Sequence, residues 1–390
     1  MSEPSSPRAG RSLSLVFMGT PEYAAVSLRR LLAGPHRVVA VVTRADKARG
    51  RGQELRPSPV KELARSAGIE VLDPPSPRSP EFIARLRELS PDLGVVVAYG
   101  RILPPAVLEV PRYGCINAHG SLLPKLRGAA PIERAILAGC TATGVTIMQM
   151  SEGLDEGPTI SSRALEIGPQ MTAEELRVAM AELSAQMLAE AVDRYAAGPV
   201  ATSPQNDAEA TFAPPLRKEE AAIDWSEDAA AVVRRVRAFA PRPGAFTFDG
   251  ATRLKVLVAR VADGAGAASS ADAGGGESVT GGVAGADAAS GARVAGGADA
   301  AAGGAAIMPG AGGGGDTAGT ILGDDRMLVA CGSGAVELLS VQPEGRRAMS
   351  GGDYLRGCRG ADPHRRLGDP ARPIAASLSS KTPAGSHADR

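Results

Sequence analysis

Cysteine is scarce in this chain. The four cysteines, Cys115, Cys140, Cys331 and Cys358, lie far apart and form no Cys-x-x-Cys pair. Their spacing excludes a zinc ribbon and a disulfide framework and points to a reducing, cytoplasmic setting. Net charge is also lacking, because 43 basic residues face 43 acidic ones. A tight, non-specific nucleic-acid binder is basic overall, so a nucleic-acid partner here must be transient and held by local patches. Long apolar runs are missing as well. No window approaches the roughly 20 apolar residues that a membrane span needs, and the opening MSEPSSPRAGRS leads into no apolar signal-peptide core. The chain also lacks a Gly-x-Ser-x-Gly elbow for a covalent nucleophile and a cluster with metal-ligand spacing, so no metal is expected.

What is present alternates. LSLVFMG (13–19), RVVAVVT (37–43), IEVL (69–72) and DLGVVVAYG (92–100) are short, continuously apolar runs. Between them stand PEYAAVSLRRLLAG, SPVKELARSAG and SPEFIARLRELS, whose apolar residues recur at helical spacing. Strands that are apolar on both faces suit a parallel sheet covered by helices, so residues 13–198 are expected to form a doubly wound, Rossmann-like α/β domain. TGVTIMQM (143–150) should extend that sheet, and residues 172–198 form a long helix opened by a Thr-x-x-Glu capping box. A proline-bearing linker, 199–216, follows. Residues 217–366 offer one helix (226–240) and short strands with glycine turns, as in a small β-barrel. Residues 263–318 interrupt this domain: of 56 residues, 18 are Gly and 19 are Ala, with no aromatic side chain. Such a segment cannot bury enough apolar area to offset ordering entropy and is expected to be a disordered insertion, as are the ends 1–12 and 367–390.

The stretch GCINAHGSLLPKLRGAAPIERAI (114–136) places one of only four histidines, His119, two residues after Asn117. On a strand both side chains leave the same face, and at a strand's carboxyl end they stand where open α/β sheets bind ligands. An amide beside an imidazole can polarise a carbonyl and hold the oxyanion formed on attack. Asp155, in MSEGLDEGP, should sit in a tight loop past TGVTIMQM, where its carboxylate can fix the imidazole tautomer or take a proton from an amine. Taken singly, His119 reads as a strand-end histidine and Asp155 as a turn aspartate; together with Asn117 they describe acyl transfer without a covalent nucleophile.

VVVAYGRILP, GCINAHGSLLPKLRGAAPIERAI, TGVTIMQMSEGLDEG, LRKEEAAIDW and VRAFAPRPGAF, in this order, closely resemble the methionyl-tRNA formyltransferase family. The resemblance implies transfer of a formyl group from 10-formyltetrahydrofolate to the α-amino group of methionine on initiator tRNA, for translation initiation, and a second domain that is an OB-like β-barrel helping to hold the tRNA. It implies Asn117, His119 and Asp155 as the catalytic residues and Ser121, Leu122, Leu123 and Pro124 as folate-binding. It extends the pterin pocket to Ile102 and Leu103, and it implies a monomer. Lys125-Leu126 departs from the family, where a tryptophan commonly follows a basic residue.

RADKARGRGQELR (44–56) carries five basic and two acidic residues. By composition it is either a solvated loop or a nucleic-acid contact. The resemblance assigns it to the tRNA acceptor stem, with Arg51 as the key arginine and Arg49 and Lys47 beside it. Two folate enzymes, glycinamide ribonucleotide transformylase and formyltetrahydrofolate hydrolase, are rival readings, as is a non-catalytic RNA-binding protein. The first needs backbone N–H groups for a phosphate at the turn Met18-Gly19-Thr20-Pro21, where Pro21 has none. Neither folate enzyme accounts for a second domain of this size.

Overall fold

The computed structural model describes residues 11–49, 54–263, 318–323, 325–358 and 365–368. The first domain contains β1 (Ser14–Gly19), α1 (Glu22–Leu32), β2 (Arg37–Val42), β3 (Lys47–Arg49), β4 (Glu54–Arg56), α2 (Pro59–Ser66), β5 (Glu70–Leu72), α3 (Pro80–Leu89) and β6 (Leu93–Val97). It continues with α4 (Pro105–Leu108), β7 (Cys115–His119), α5 (Pro131–Leu137), β8 (Ala142–Gln149), β9 (Thr159–Glu166) and α6 (Ala173–Ala197). Seven strands make one sheet in the order β5-β2-β1-β6-β7-β8-β9. The apolar runs explain why. Successive residues of β1 enter opposite layers: Leu15 and Phe17 pack with α1 and α6, whereas Val16 and Met18 pack with α3 and α4. The α6 N-terminus carries the expected capping box, with Glu175 N–H donating to Thr172 Oγ1 at 3.3 Å and Thr172 N–H donating to Glu175 Oε2 at 2.8 Å.

The sheet is mixed. Strands β5 to β7 run parallel, but β8 lies antiparallel to β7 and β9 antiparallel to β8. Residues 143–148 of β8 are as buried as the parallel strands, and burial on both faces carries no sign of strand direction.

The second domain holds α7 (Ala229–Phe239), β10 (Ala245–Asp249), β11 (Thr252–Val261), β12 (Leu328–Ala330), β13 (Ala335–Pro343), β14 (Met349–Ser350) and α8 (Gly351–Gly357). Its antiparallel sheet runs β10-β11-β13-β12 with β14 on β13, a curled half-barrel, and the bridges Ile321–Val329, Thr320–Arg366 and Leu367–Asp249 carry the pairing from β12 round to β10, in keeping with the expected OB-like barrel. Residues 264–317 of the Ala/Gly insertion and 1–10 and 369–390 of the expected disordered ends lie outside the described residues. One boundary changes: Leu367, expected to open a disordered tail, is buried in the core and pairs with Asp249. Both domains share one apolar cluster, in which α7 residues such as Val232 and Phe239 join the first domain's Ile136 and Leu176.

On the half-barrel, the Glu337 carboxylate is buried and accepts from Arg326 Nε and Arg260 Nε, each at 2.8 Å. Arg326 first, against the cost of burial, and Arg260 with it, lower its pKa from 4.5 to about 2. A depressed folded pKa stabilises above the unfolded value, and that contribution disappears as pH falls through the folded one. Glu337→Gln should therefore lower Tm at neutral pH, and the gap to wild type should close between pH about 4.5 and about 2 in a thermal-melt series.

Candidate active site

β7 is parallel to β6 and ends at His119, two residues past the register of Val96 with Asn117, so its carboxyl end lies at the carboxyl edge of the parallel strands. Cys115 of this strand belongs to the apolar cluster on the α3–α4 face, and Ile116 and Ala118 to the other. Alternation therefore sends the Asn117 and His119 side chains to the α3–α4 face. Asn117 is half-buried, and its amide takes no hydrogen-bond partner among the described residues.

His119 is held on both sides. Its Nε2 lies 2.9 Å from the Leu126 carbonyl oxygen, which can only accept, so Nε2 carries a proton. Nδ1 faces Asp155 Oδ2 at 3.5 Å, and the two side chains are 5% and 17% exposed. In the neutral ring Nδ1 is a bare lone pair facing a carboxylate. A proton placed on Nδ1 would meet that carboxylate in a charge-assisted contact, so the geometry suits the pair to receiving one.

Asp155 arrives by an unexpected route. Because β8 is antiparallel, its carboxyl end lies beside Ile116, towards the amino end of β7. The connection 150–158 must double back to carry Asp155 to the imidazole. Asp155 adopts φ +54°, a left-handed conformation rare outside glycine, and its Oδ2 also accepts from Gly128 N–H at 2.8 Å. Gly128 itself has φ +124°, and a Cβ there would lie 2.7 Å from the Ala213 carbonyl oxygen. Gly128→Ala should cost roughly 1–3 kcal/mol from backbone strain alone, with the clash in addition, as measured by denaturant unfolding.

Ser121 to Pro124 form the turn after β7. The Ser121 hydroxyl is buried and donates to Lys125 O at 2.5 Å, which makes it a brace within the turn. Thr146 of β8, paired opposite His119, pins the turn: its Oγ1 donates to Ser121 O at 2.8 Å and accepts from Leu123 N–H at 3.1 Å. Leu122, Leu123 and Pro124 are half-buried. Ile102 and Leu103 separate: Ile102 is 74% exposed, whereas Leu103 is 2% exposed within the cluster that includes Cys115. A cleft of about 660 Å³ opens at the amino end of β7, lined by Leu108, Tyr113, Gly114, Met150 and Ser151 among others, and none of the expected folate residues borders it.

The basic segment 44–56, expected as a loop, is a hairpin in which Lys47 of β3 pairs with Arg56 of β4 and Arg49 with Glu54. Arg51 and the side chains of Lys47 and Arg49 lie outside the described residues. The hairpin's foot is anchored by buried Lys61 of α2, whose ammonium donates to Asp46 at 2.8 Å and Asp73 at 2.7 Å. Burial lowers the Lys61 pKa, but the two carboxylates outweigh it and the net shift is upward.

Sequence reasoning missed Thr146, Leu126, Gly128, Gln205 and Thr211. Gln205 and Thr211 lie in the linker, 50 and 85 residues in sequence from the Asp155 and Leu126 backbone groups they grip, and no local signal marks them.

Profiles described as "Formyl transferase" and "Formyl transferase, C-terminal domain" match residues 13–192 and 215–359. The methionyl-tRNA formyltransferase of Geobacter metallireducens is 40% identical over 357 residues, 91% of this chain and 99% of its own length. That of Aromatoleum aromaticum is 43% identical over 88% of this chain and 94% of its own. Among solved structures, the N-formyltransferase from Helicobacter canadensis, complexed with folinic acid and dTDP-3-aminofucose, has a TM-score of 0.57 at 15% identity, covering 84% of this chain and 98% of its own. HypX from Aquifex aeolicus in complex with tetrahydrofolic acid has a TM-score of 0.52 at 16% identity, covering 90% of this chain and 48% of that one. These two share the fold. With both domains matched and the full length of such relatives aligned, the chain belongs to the methionyl-tRNA formyltransferase family.

Proposed function

We propose that the chain transfers a formyl group from 10-formyltetrahydrofolate to the α-amino group of methionine on initiator tRNA, with Asn117, His119 and Asp155 carrying the chemistry. The observation that carries this reading is the imidazole of His119, held between the Leu126 carbonyl and the Asp155 carboxylate, beside the Asn117 amide that has no partner among the described residues. An α-amine has a pKa of about 7.7–8.0, so part of it is protonated at neutral pH and must lose a proton before it attacks. The free nitrogen adds to the formyl carbon, and the carbonyl electron pair moves to oxygen. Asn117 donates to that oxyanion. The proton released by the nitrogen passes to the His119–Asp155 pair. Both imidazole nitrogens already face protein oxygens, so His119 supports the oxyanion through the positive charge it gains, rather than as a direct donor. The oxyanion then collapses to re-form the carbonyl, the C–N10 bond breaks, and N10 takes the proton held by the His119–Asp155 pair as tetrahydrofolate leaves, which returns the pair to its starting state.

Ser121 to Pro124, together with Leu103 and Ile102, form the folate-facing rim in this reading. The β3–β4 hairpin, with Lys47, Arg49 and Arg51, meets the tRNA acceptor end, where arginine provides phosphate forks and base stacking. Among the described residues no helix is long and apolar enough to cross a membrane, and we place the protein in the cytoplasm as a monomer. The test incubates the purified full-length chain with 10-formyltetrahydrofolate and charged initiator tRNA. Formylmethionine on the tRNA is the expected product, whereas formate alone would reassign the chain as a hydrolase. In the same assay Arg51→Ala should lower kcat/KM for tRNA and leave folate binding intact; an unchanged value would remove the hairpin from the tRNA site.

A further inference from the structure

Resting on the formyl-transfer reading, we infer that the linker between the domains completes the active site: Gln205 and Thr211 are positioning residues that set where the His119 ring and the Asp155 carboxylate stand. The two partners of the imidazole come from separate loops, Leu126 O from the turn after β7 and Asp155 Oδ2 from the β8–β9 connection. Leu126 at φ +58° and Asp155 at φ +54° both adopt the left-handed conformation, which aspartate tolerates but leucine keeps only when its surroundings enforce it. The linker is common to both.

Gln205 grips the Asp155 loop. Its Nε2 donates to Asp155 O at 2.8 Å and to Gly157 O at 2.7 Å, while its Oε1 accepts from Arg127 Nε at 3.1 Å and Nη2 at 2.8 Å. Guanidinium can only donate and carbonyls can only accept, so this amide orientation is forced, and all four of its hydrogen-bonding positions are filled. Arg127, 5% exposed, ties that amide to the loop carrying Leu126. Thr211 grips the same loop directly: its Oγ1 accepts from Leu126 N–H at 2.8 Å and its carbonyl from Arg127 N–H at 2.8 Å. Ala213 continues the contact, donating to Arg127 O at 2.7 Å and accepting from Ala130 N–H at 3.1 Å. Ser203 and Thr159 exchange a pair of 2.8 Å bonds that anchor the linker's start. The linker therefore bridges both halves of the proton-accepting pair. A misplacement of about 1 Å at such a site can lower turnover about 100-fold.

The test uses the full chain with four substitutions. Gln205→Glu keeps both acceptors for Arg127 but loses the donors to Asp155 O and Gly157 O; Gln205→Met loses both sets. Thr211→Val removes the acceptor for Leu126 N–H, and Thr211→Ser restores it. Gln205→Glu and Thr211→Val should lower kcat by about 10–100-fold, with KM for both substrates and Tm close to wild type and the acidic limb of the kcat–pH profile displaced. Thr211→Ser should be near wild type. Imidazole 15N resonances, simple to assign with four histidines in the chain, report the His119 ring independently of turnover. The His119 signals should shift in Gln205→Glu and Thr211→Val and return in Thr211→Ser. Unchanged His119 resonances in both variants overturn the inference, whatever the turnover. So does a normal kcat in Gln205→Glu alongside a deficient Gln205→Met, which would leave only the Arg127 anchor, and so does a kcat loss that merely tracks Tm. A wild type that forms no formylmethionyl-tRNA would refute the proposed function and leave the resonances to decide the linker's part.

Discussion

Asn117→Ala is expected to lower kcat for formyl transfer by about 10²–10³-fold, the usual loss when one oxyanion donor is removed, while Tm stays close to wild type. The fold does not rely on this amide. Asn117 is half-buried, and its side chain bonds to nothing among the described residues, whereas its neighbours Ile116 and Ala118 anchor the strand in the core. Truncation therefore leaves no buried donor or acceptor stranded, and this kind of loss is what makes polar deletions destabilising. Because the amide works on charge that develops during the reaction, KM for either substrate should move far less than kcat. Single-turnover rates at saturating 10-formyltetrahydrofolate measure the effect. A loss below about tenfold would remove Asn117 from the oxyanion site.

Asp155→Asn is the second large effect, a fall in kcat of about 10²–10⁴-fold, the range associated with a lost acid–base group. Asparagine is the informative replacement at this position. Like aspartate, it tolerates the left-handed conformation that Asp155 adopts at φ +54°. Its side-chain oxygen can still accept from Gly128 N–H, which now donates to Oδ2 at 2.8 Å. The loop is kept, and only the charge facing His119 Nδ1 is removed. An uncharged partner stabilises a proton arriving on that nitrogen far less than a carboxylate does, so the imidazole becomes a poorer acceptor for the amine proton. The residual rate of Asp155→Asn should rise with pH across the titration of the amine, because bulk base then performs the missing step. A variant within about tenfold of wild type at pH 7 would reduce Asp155 to a loop brace.

Much of the architecture is legible in local patterns. Unbroken apolar strands alternating with amphipathic helices announce a sheet covered on both faces, and β1 fulfils this by sending Leu15 and Val16 into opposite layers. The Thr172–Glu175 capping box and the same-face placement of Asn117 and His119 follow from fixed helical and strand periods. Other features left no local trace. The direction of β8 depends on which neighbour it pairs with, and a strand buried on both faces reads the same either way. The site of Leu367 depends on a bridge to Asp249, more than a hundred residues earlier. The strands of the hairpin β3–β4 are three residues each, too short for an alternating pattern to show in the sequence, and Ile102 and Leu103, adjacent in sequence, end as an exposed and a buried residue.

The sequence by itself determined the layered α/β core, the pairing of amide and imidazole on one strand and the family's motifs, because these rest on periodicities and residue types within a few positions of one another. Only the tertiary structure decided how the imidazole is held. Its two partners are a backbone carbonyl at Leu126 and a carboxylate carried back by a doubled loop, and both are secured by Gln205 and Thr211 from the linker. The physical reason is that backbone donors and acceptors have no residue identity. Any amino acid supplies the same N–H and C=O, so which of them meet across long sequence separations is set by the packed chain alone.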